Sequence, residues 1–181
     1  APGWLTKHAR RGLDALPSPG HPGTVTSAES PSAWPTFSAR VVRGHGVASG
    51  RNGDPRFPGG TVAMQRPHFL ARGLDLSALH PGTINVSIAP RAWRLRTPRH
   101  TFRAVRWHPV EPAEDFSFAD VHLRRPGEPP LAGWIYHPHP ETKPEHFQTP
   151  DVLELLLPLV PGLAYGDALV LAAPADQVEV T

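Results

Sequence analysis

The sequence predicts a mostly β domain with one or two short helices, on three observations. Prolines (24) and glycines (16) make up more than a fifth of the 181 residues, a density that breaks long helices and supplies turns. From Phe37 onward, short runs of alternating apolar and polar residues recur at close spacing, as half-buried strands do. The length suits one domain with a proper core rather than two. Strands repeated in this way make a barrel or a sandwich.

Residues 1–35 are expected to be a disordered tail. They carry Pro-Ser-Pro-Gly at 17–20 and further Ser, Pro and Gly clusters, which bury too little apolar surface to offset the entropy of ordering. The domain is expected over 36–181. Residues 37–43 read as a first strand, 44–60 as a loop, and 61–65 as a second short strand. Residues 67–73 read as a brief helix, with Pro67 early and Gly73 at the C-terminal cap. Strands are then expected at 83–88, 92–95, 102–107, 116–123 and 131–136. For residues 149–157, helix and buried strand are equally compatible with the apolar pattern. A turn at Gly166-Asp167 precedes closing strands at 168–172 and 177–180.

The absence of cysteine excludes disulfide frameworks, thiolate metal sites and cysteine nucleophiles. No apolar run is long enough to span a membrane, and no apolar leader core follows the basic residues at the start. A cytoplasmic monomer acting on small molecules is the expectation. Arg91, Arg94, Arg96, Arg99, Arg103 and Arg106 form a basic stretch near Trp93 and Trp107, but a net charge of +2 is too small for a nucleic-acid footprint, so nucleic acid is not expected as a partner. Residues 137–146 hold three histidines and two glutamates among prolines. They read mainly as a rigid loop over a pocket, with a metal site as the lesser alternative and Lys143 as a point charge for phosphate.

Three stretches, in order, resemble the archaeal CTP-dependent riboflavin kinases: Val-Val-Arg-Gly-His-Gly-Val-Ala-Ser-Gly at 41–50, His-Pro-Gly-Thr-Ile-Asn-Val at 80–86, and Asp-Val-Leu-Glu-Leu-Leu-Leu-Pro at 151–158 followed by Tyr-Gly-Asp at 165–167. The resemblance covers roughly 37–180 and implies a six-stranded closed barrel of the cradle-loop kind. It implies magnesium-dependent transfer of a phosphoryl group from CTP, or another nucleoside triphosphate, to riboflavin, giving FMN. By the resemblance Thr83 and Asn85 hold the magnesium, Thr149 and Glu154 lie at the flavin, and the glycine-rich loop takes the nucleotide.

The residue types suit these roles. Thr83 and Asn85 are two apart on an expected strand and so face one side, and both offer the hard oxygens that magnesium accepts. Bonding to neighbouring backbone is the plainer account of the same pair. Gly44, His45, Gly46, Ser49 and Gly50 form a loop whose N–H groups can approach phosphate. Arg51 and Arg56 can fork onto phosphate, and Asp54 can serve as a base, although an ordinary charged turn is an equal reading. Glu154 stands alone in an apolar run, where a buried carboxylate needs a donor. Two departures from the family pattern stand out: an added segment at 51–60, and no arginine in 159–164. They leave open a diverged barrel that binds a small phosphorylated or sugar-like ligand, or a kinase of another small alcohol.

Overall fold

A computed structural model describes residues 33–143 and 145–181. The expected tail at 1–32 lies outside the described residues. Trp34, counted with that tail from the sequence, is buried and sits 4.6 Å, ring to ring, from His122. The ordered domain therefore begins before residue 36.

The chain is mostly β. Among the described residues nine strands run β1 (Thr36–Val42), β2 (Ile84–Ser87), β3 (Trp93–Leu95), β4 (His100–Val105), β5 (Glu114–Arg124), β6 (Leu131–Pro138), β7 (Val152–Leu156), β8 (Ala168–Ala172) and β9 (Val178–Val180), with one helix, α1 (Thr61–Leu70). Seven strands form an antiparallel sheet in the order β4-β5-β6-β7-β2-β1-β8, and β5 also pairs with β8. The pairings β5–β6–β7–β2–β1–β8 thus return to β5, and the six strands make a ring. The eleven-residue β5 allows this return: its start pairs with β4 and its end, from His122 to Arg124, with β8. β3 and β9 pair separately.

Alternation along the strands sorts side chains into two clusters. Phe37, Ala39 and Val41 of β1, Ala119, Val121 and Leu123 of β5, Ile135 of β6 and Leu153 and Leu155 of β7 join one core. Phe116, Phe118, Tyr136 and Leu156 lie out of phase with them and join a second, with Val62 and Phe69 of α1. A strand apolar on both faces reads as a continuous run. That resolves the ambiguous segment at 149–157: β7 is a strand with Leu153 and Leu155 on one side and Glu154 and Leu156 on the other.

The strand expected at 61–65 is instead the start of α1. Val62, Gln65 and Phe69 are buried at helical spacing across the proline, and Phe69 packs edge-on against Phe116 and Phe118. Pro67 lies inside the helix rather than opening it, and α1 ends at Leu70. The preceding Gly60 has φ +91, and a Cβ there would stand 2.4 Å from the Ala48 carbonyl. Only glycine lets the loop return so closely against itself. Among the described residues no helix is long and apolar enough to cross a membrane.

Candidate functional site

Asn85 and Glu154 are directly paired across β2 and β7. Each is out of phase with the first core, since Val86 and Leu153 beside them point into it. Both side chains therefore stand on the opposite face, where a cavity of about 390 Å³ opens. Thr83, two residues before Asn85, lines the same cavity, as expected from the spacing. So do Gly44, His45, Gly46, Ser49 and Arg51 of the glycine-rich loop. Three sequence regions far apart in the chain thus meet at one wall.

The contacts there are close. Gln148 Nε2 donates to Asn85 Oδ1 at 3.1 Å. A methyl group on Gly44 would reach 2.1 Å from Asn85 Nδ2 and 2.6 Å from its Cγ, so the glycine makes room for the amide. Lys143 Nζ lies 3.9 Å from Glu154 Oε2. Burial pushes the Glu154 carboxyl above the usual range, while Lys143, a hydrogen bond from Gln148, His45 and a hydrogen bond from Thr83 pull it back. Tyr136, opposite Glu154 across β6 and β7, donates to Gln65 Oε1 at 2.8 Å. Its phenol is held protonated by burial and by Glu154 and Glu114.

The loop presents free donors. Gly50, Asn52 and Gly53 spend their N–H groups on the carbonyls of Val47, Gly46 and Gly50. Among the described residues, the N–H groups of Gly46, Val47, Ala48 and Ser49 have no partner, an arrangement suited to an anion. The helix start is spent otherwise: Thr61 and Val62 donate to Val47 and Ala48 carbonyls at 3.1 and 3.3 Å.

Other expected site residues go elsewhere. Gly50, Asp54 and Arg56 are not on the cavity wall. Arg56 meets Asp54 at 2.7 Å, Glu111 at 3.1 Å and Glu145 at 2.6 Å. The guanidinium expected to fork onto phosphate forks onto carboxylates, and it holds the Asp54 carboxyl below its usual range. Thr149 lines a second cavity, also about 390 Å³, which shares Tyr136, Pro138, Lys143 and Glu154 with the first. Its hydroxyl donates to Asp151 at 2.7 Å.

Of the histidines of 137–146, His137 and His139 stay together, 5.5 Å between ring centres, and each has a further partner. His137 meets the Trp93 ring at 5.3 Å. His139 bonds Ser117 at 2.7 Å, and His146 lies 5.1 Å, ring to ring, from His45. Among the described residues no group of three or more His, Cys, Asp or Glu is arranged to hold a metal ion. In the basic stretch, Arg94, Arg99 and Arg103 are paired with Glu179, Asp120 and Asp115, which neutralises half of it.

Sequence reasoning missed part of the first cavity's lining. There Trp107, Phe57 and Tyr136 bring the second core to the wall, with Glu111 and Glu114 among them. Trp107 and Tyr136 are core residues that also line the cavity. The signal for Glu114 was present: it is in phase with Phe116 and Phe118, the buried face of β5. No family model matches the chain, and no curated protein sequence matches it.

Proposed function

We propose that the chain transfers a phosphoryl group from a nucleoside triphosphate to the hydroxyl of a riboflavin-like alcohol, with magnesium. The observation that carries this reading is the convergence of Thr83, Asn85, Glu154 and the loop 44–51 on one cavity. On it, the ring of six strands is the closed barrel that the resemblance implies.

The loop N–H groups and Arg51 bind phosphate, and Lys143 adds a point charge. Glu154, raised by burial, takes the proton from the attacking hydroxyl. That oxygen bonds to the terminal phosphorus as the bond to the bridging oxygen breaks, and the diphosphate leaves. Positioning and charge neutralisation supply most of the acceleration. The Thr83 hydroxyl and Asn85 carbonyl are the oxygens that would hold magnesium. With one carboxylate beside them, the donor set suits an ion that brings its own waters and phosphate oxygens. Bound there, magnesium would neutralise phosphate charge.

A second reading has its own observation. Glu111, Glu114, Glu145 and Glu154 line the cavity against Arg51 and Lys143, and residues 159–164 contain no arginine. Such a wall also suits a hydroxyl-rich, sugar-like ligand held without transfer, or another small alcohol as acceptor. Incubating the protein with riboflavin, magnesium and each of CTP, ATP, GTP and UTP separates the readings. The first expects FMN, reduced about 100-fold or more by Asn85→Ala. No FMN with any nucleotide rejects it, and thermal stabilisation by sugars or sugar phosphates alone supports the second.

A further inference from the structure

The cavity has lining residues that the proposed transfer does not use. Phe57 and Trp107 pack against each other there, tilted by 41° with 5.6 Å between ring centres, and both line the cavity, as does Tyr136. An aromatic lining of this kind accepts a planar ring laid against it. Beside Trp107 stands Glu114, only 5% exposed. Trp107 Nε1 donates to its Oε1 at 3.1 Å. Among the described residues no donor meets its Oε2, although the residue lines the cavity.

Glu114 Oε2 is not among the enclosed side-chain atoms that lack a partner, so it keeps open surface and is an acceptor open to the cavity that the residue lines. A ligand that displaces water there must supply a donor in its place, and an N–H at the edge of a ring laid against the aromatic lining does so. Burial raises the Glu114 carboxyl, with Glu111 adding to the rise, while Trp107 and Lys143 oppose it. A ligand N–H would favour the ionised form in the same way that Trp107 does.

We propose that Glu114 is a specificity-determining residue that accepts a hydrogen bond from an N–H at the edge of a planar heterocycle lodged beside Trp107, Phe57 and Tyr136. The heterocycle belongs either to the acceptor, through a ring N–H, or to the nucleotide, through an exocyclic amino group, and the shared chemistry is the edge N–H donor. The inference rests on the reading of the cavity as a two-substrate site.

The test is equilibrium binding to wild type and to Glu114→Gln, with matched probes. Riboflavin is compared with N3-methylriboflavin, and CTP with N4,N4-dimethyl-CTP. One pair is expected to be discriminated by about tenfold or more in the wild type. In Glu114→Gln the N–H probe of that pair weakens to the level of its methylated partner, whose affinity does not change. Discrimination in the flavin pair places the acceptor ring at Glu114, and discrimination in the nucleotide pair places the base there. Equal wild-type binding within both pairs overturns the proposal without reliance on a variant, as does failure to bind any probe. A Glu114-dependent preference without FMN formation would reject the transfer reaction and keep the subsite. FMN formation with no preference would do the reverse.

Discussion

Gly44→Ala tests the wall of the site through steric contact alone. Gly44 does not adopt a positive φ, so alanine meets no backbone penalty there. The obstacle is Asn85, whose Nδ2 would lie 2.1 Å from the new Cβ. The amide must rotate away, at about 0.5–1.5 kcal/mol for an off-rotamer side chain. It also loses the bond from Gln148, worth about 1 kcal/mol. A destabilisation of about 1.5–2.5 kcal/mol follows. In an Asn85→Ala background the obstacle is gone, and alanine at 44 becomes neutral or stabilising by up to about 1 kcal/mol, because it restricts the unfolded chain. The two substitutions should therefore couple by about 1.5–3.5 kcal/mol. Urea unfolding of the four proteins measures this. Additivity within about 0.5 kcal/mol would refute the contact between loop and strand, and with it the shared wall.

Three further predictions address other parts of the domain. Arg56→Ala should leave the fold intact but speed amide exchange in residues 51–60 and 108–113, which are joined through its carboxylate partners; unchanged exchange would show that the guanidinium tethers nothing. Tyr136→Phe removes the hydroxyl that donates to the buried Gln65 and should cost about 1–3 kcal/mol in denaturant unfolding. His137 gives the pH dependence: burial first, then His139, lowers it from 6.5 to about 4. Above pH 6.5 it is neutral folded and unfolded and has no effect. As the pH falls from 6.5 to 4, the unfolded chain takes the proton first and stability drops, by up to about 3 kcal/mol at about 1.4 kcal/mol per unit. His137→Gln should flatten that part of the stability–pH curve, and an unchanged curve would place the sensitivity on other groups.

Much of the fold was legible because strands announce themselves by alternation. Phe37, Ala39 and Val41 mark β1, and the 83–88 run marks β2 with Thr83 and Asn85 on one face. Misreadings arose where local pattern and tertiary demand diverged. Thr61-Val62 looks like strand, yet Val62, Gln65 and Phe69 are needed together on a helix face over Phe116 and Phe118. Arg56 looks like a phosphate ligand, yet Glu111 and Glu145 come to it from 55 and 89 residues away, and no local spacing shows that. Glu154 was conspicuous as one carboxylate among leucines, whereas Glu114 shares the phase of Phe116 and Phe118 but stands beside Asp115, ahead of the run that the alternation marks.

The sequence by itself determined a β-rich domain, the turns between its strands, and the side of β2 on which Thr83 and Asn85 stand, because a strand's period of two is a local property of the backbone. The tertiary structure alone decided that β5 pairs back to β8, that β7 is buried on both faces, and that Gly44, Asn85, Gln148 and Glu154 meet. Those facts depend on pairing between residues far apart in the chain. The same pairing sets Glu114 beside Trp107 with one oxygen unmet, and local sequence carries no record of what a buried carboxylate will face.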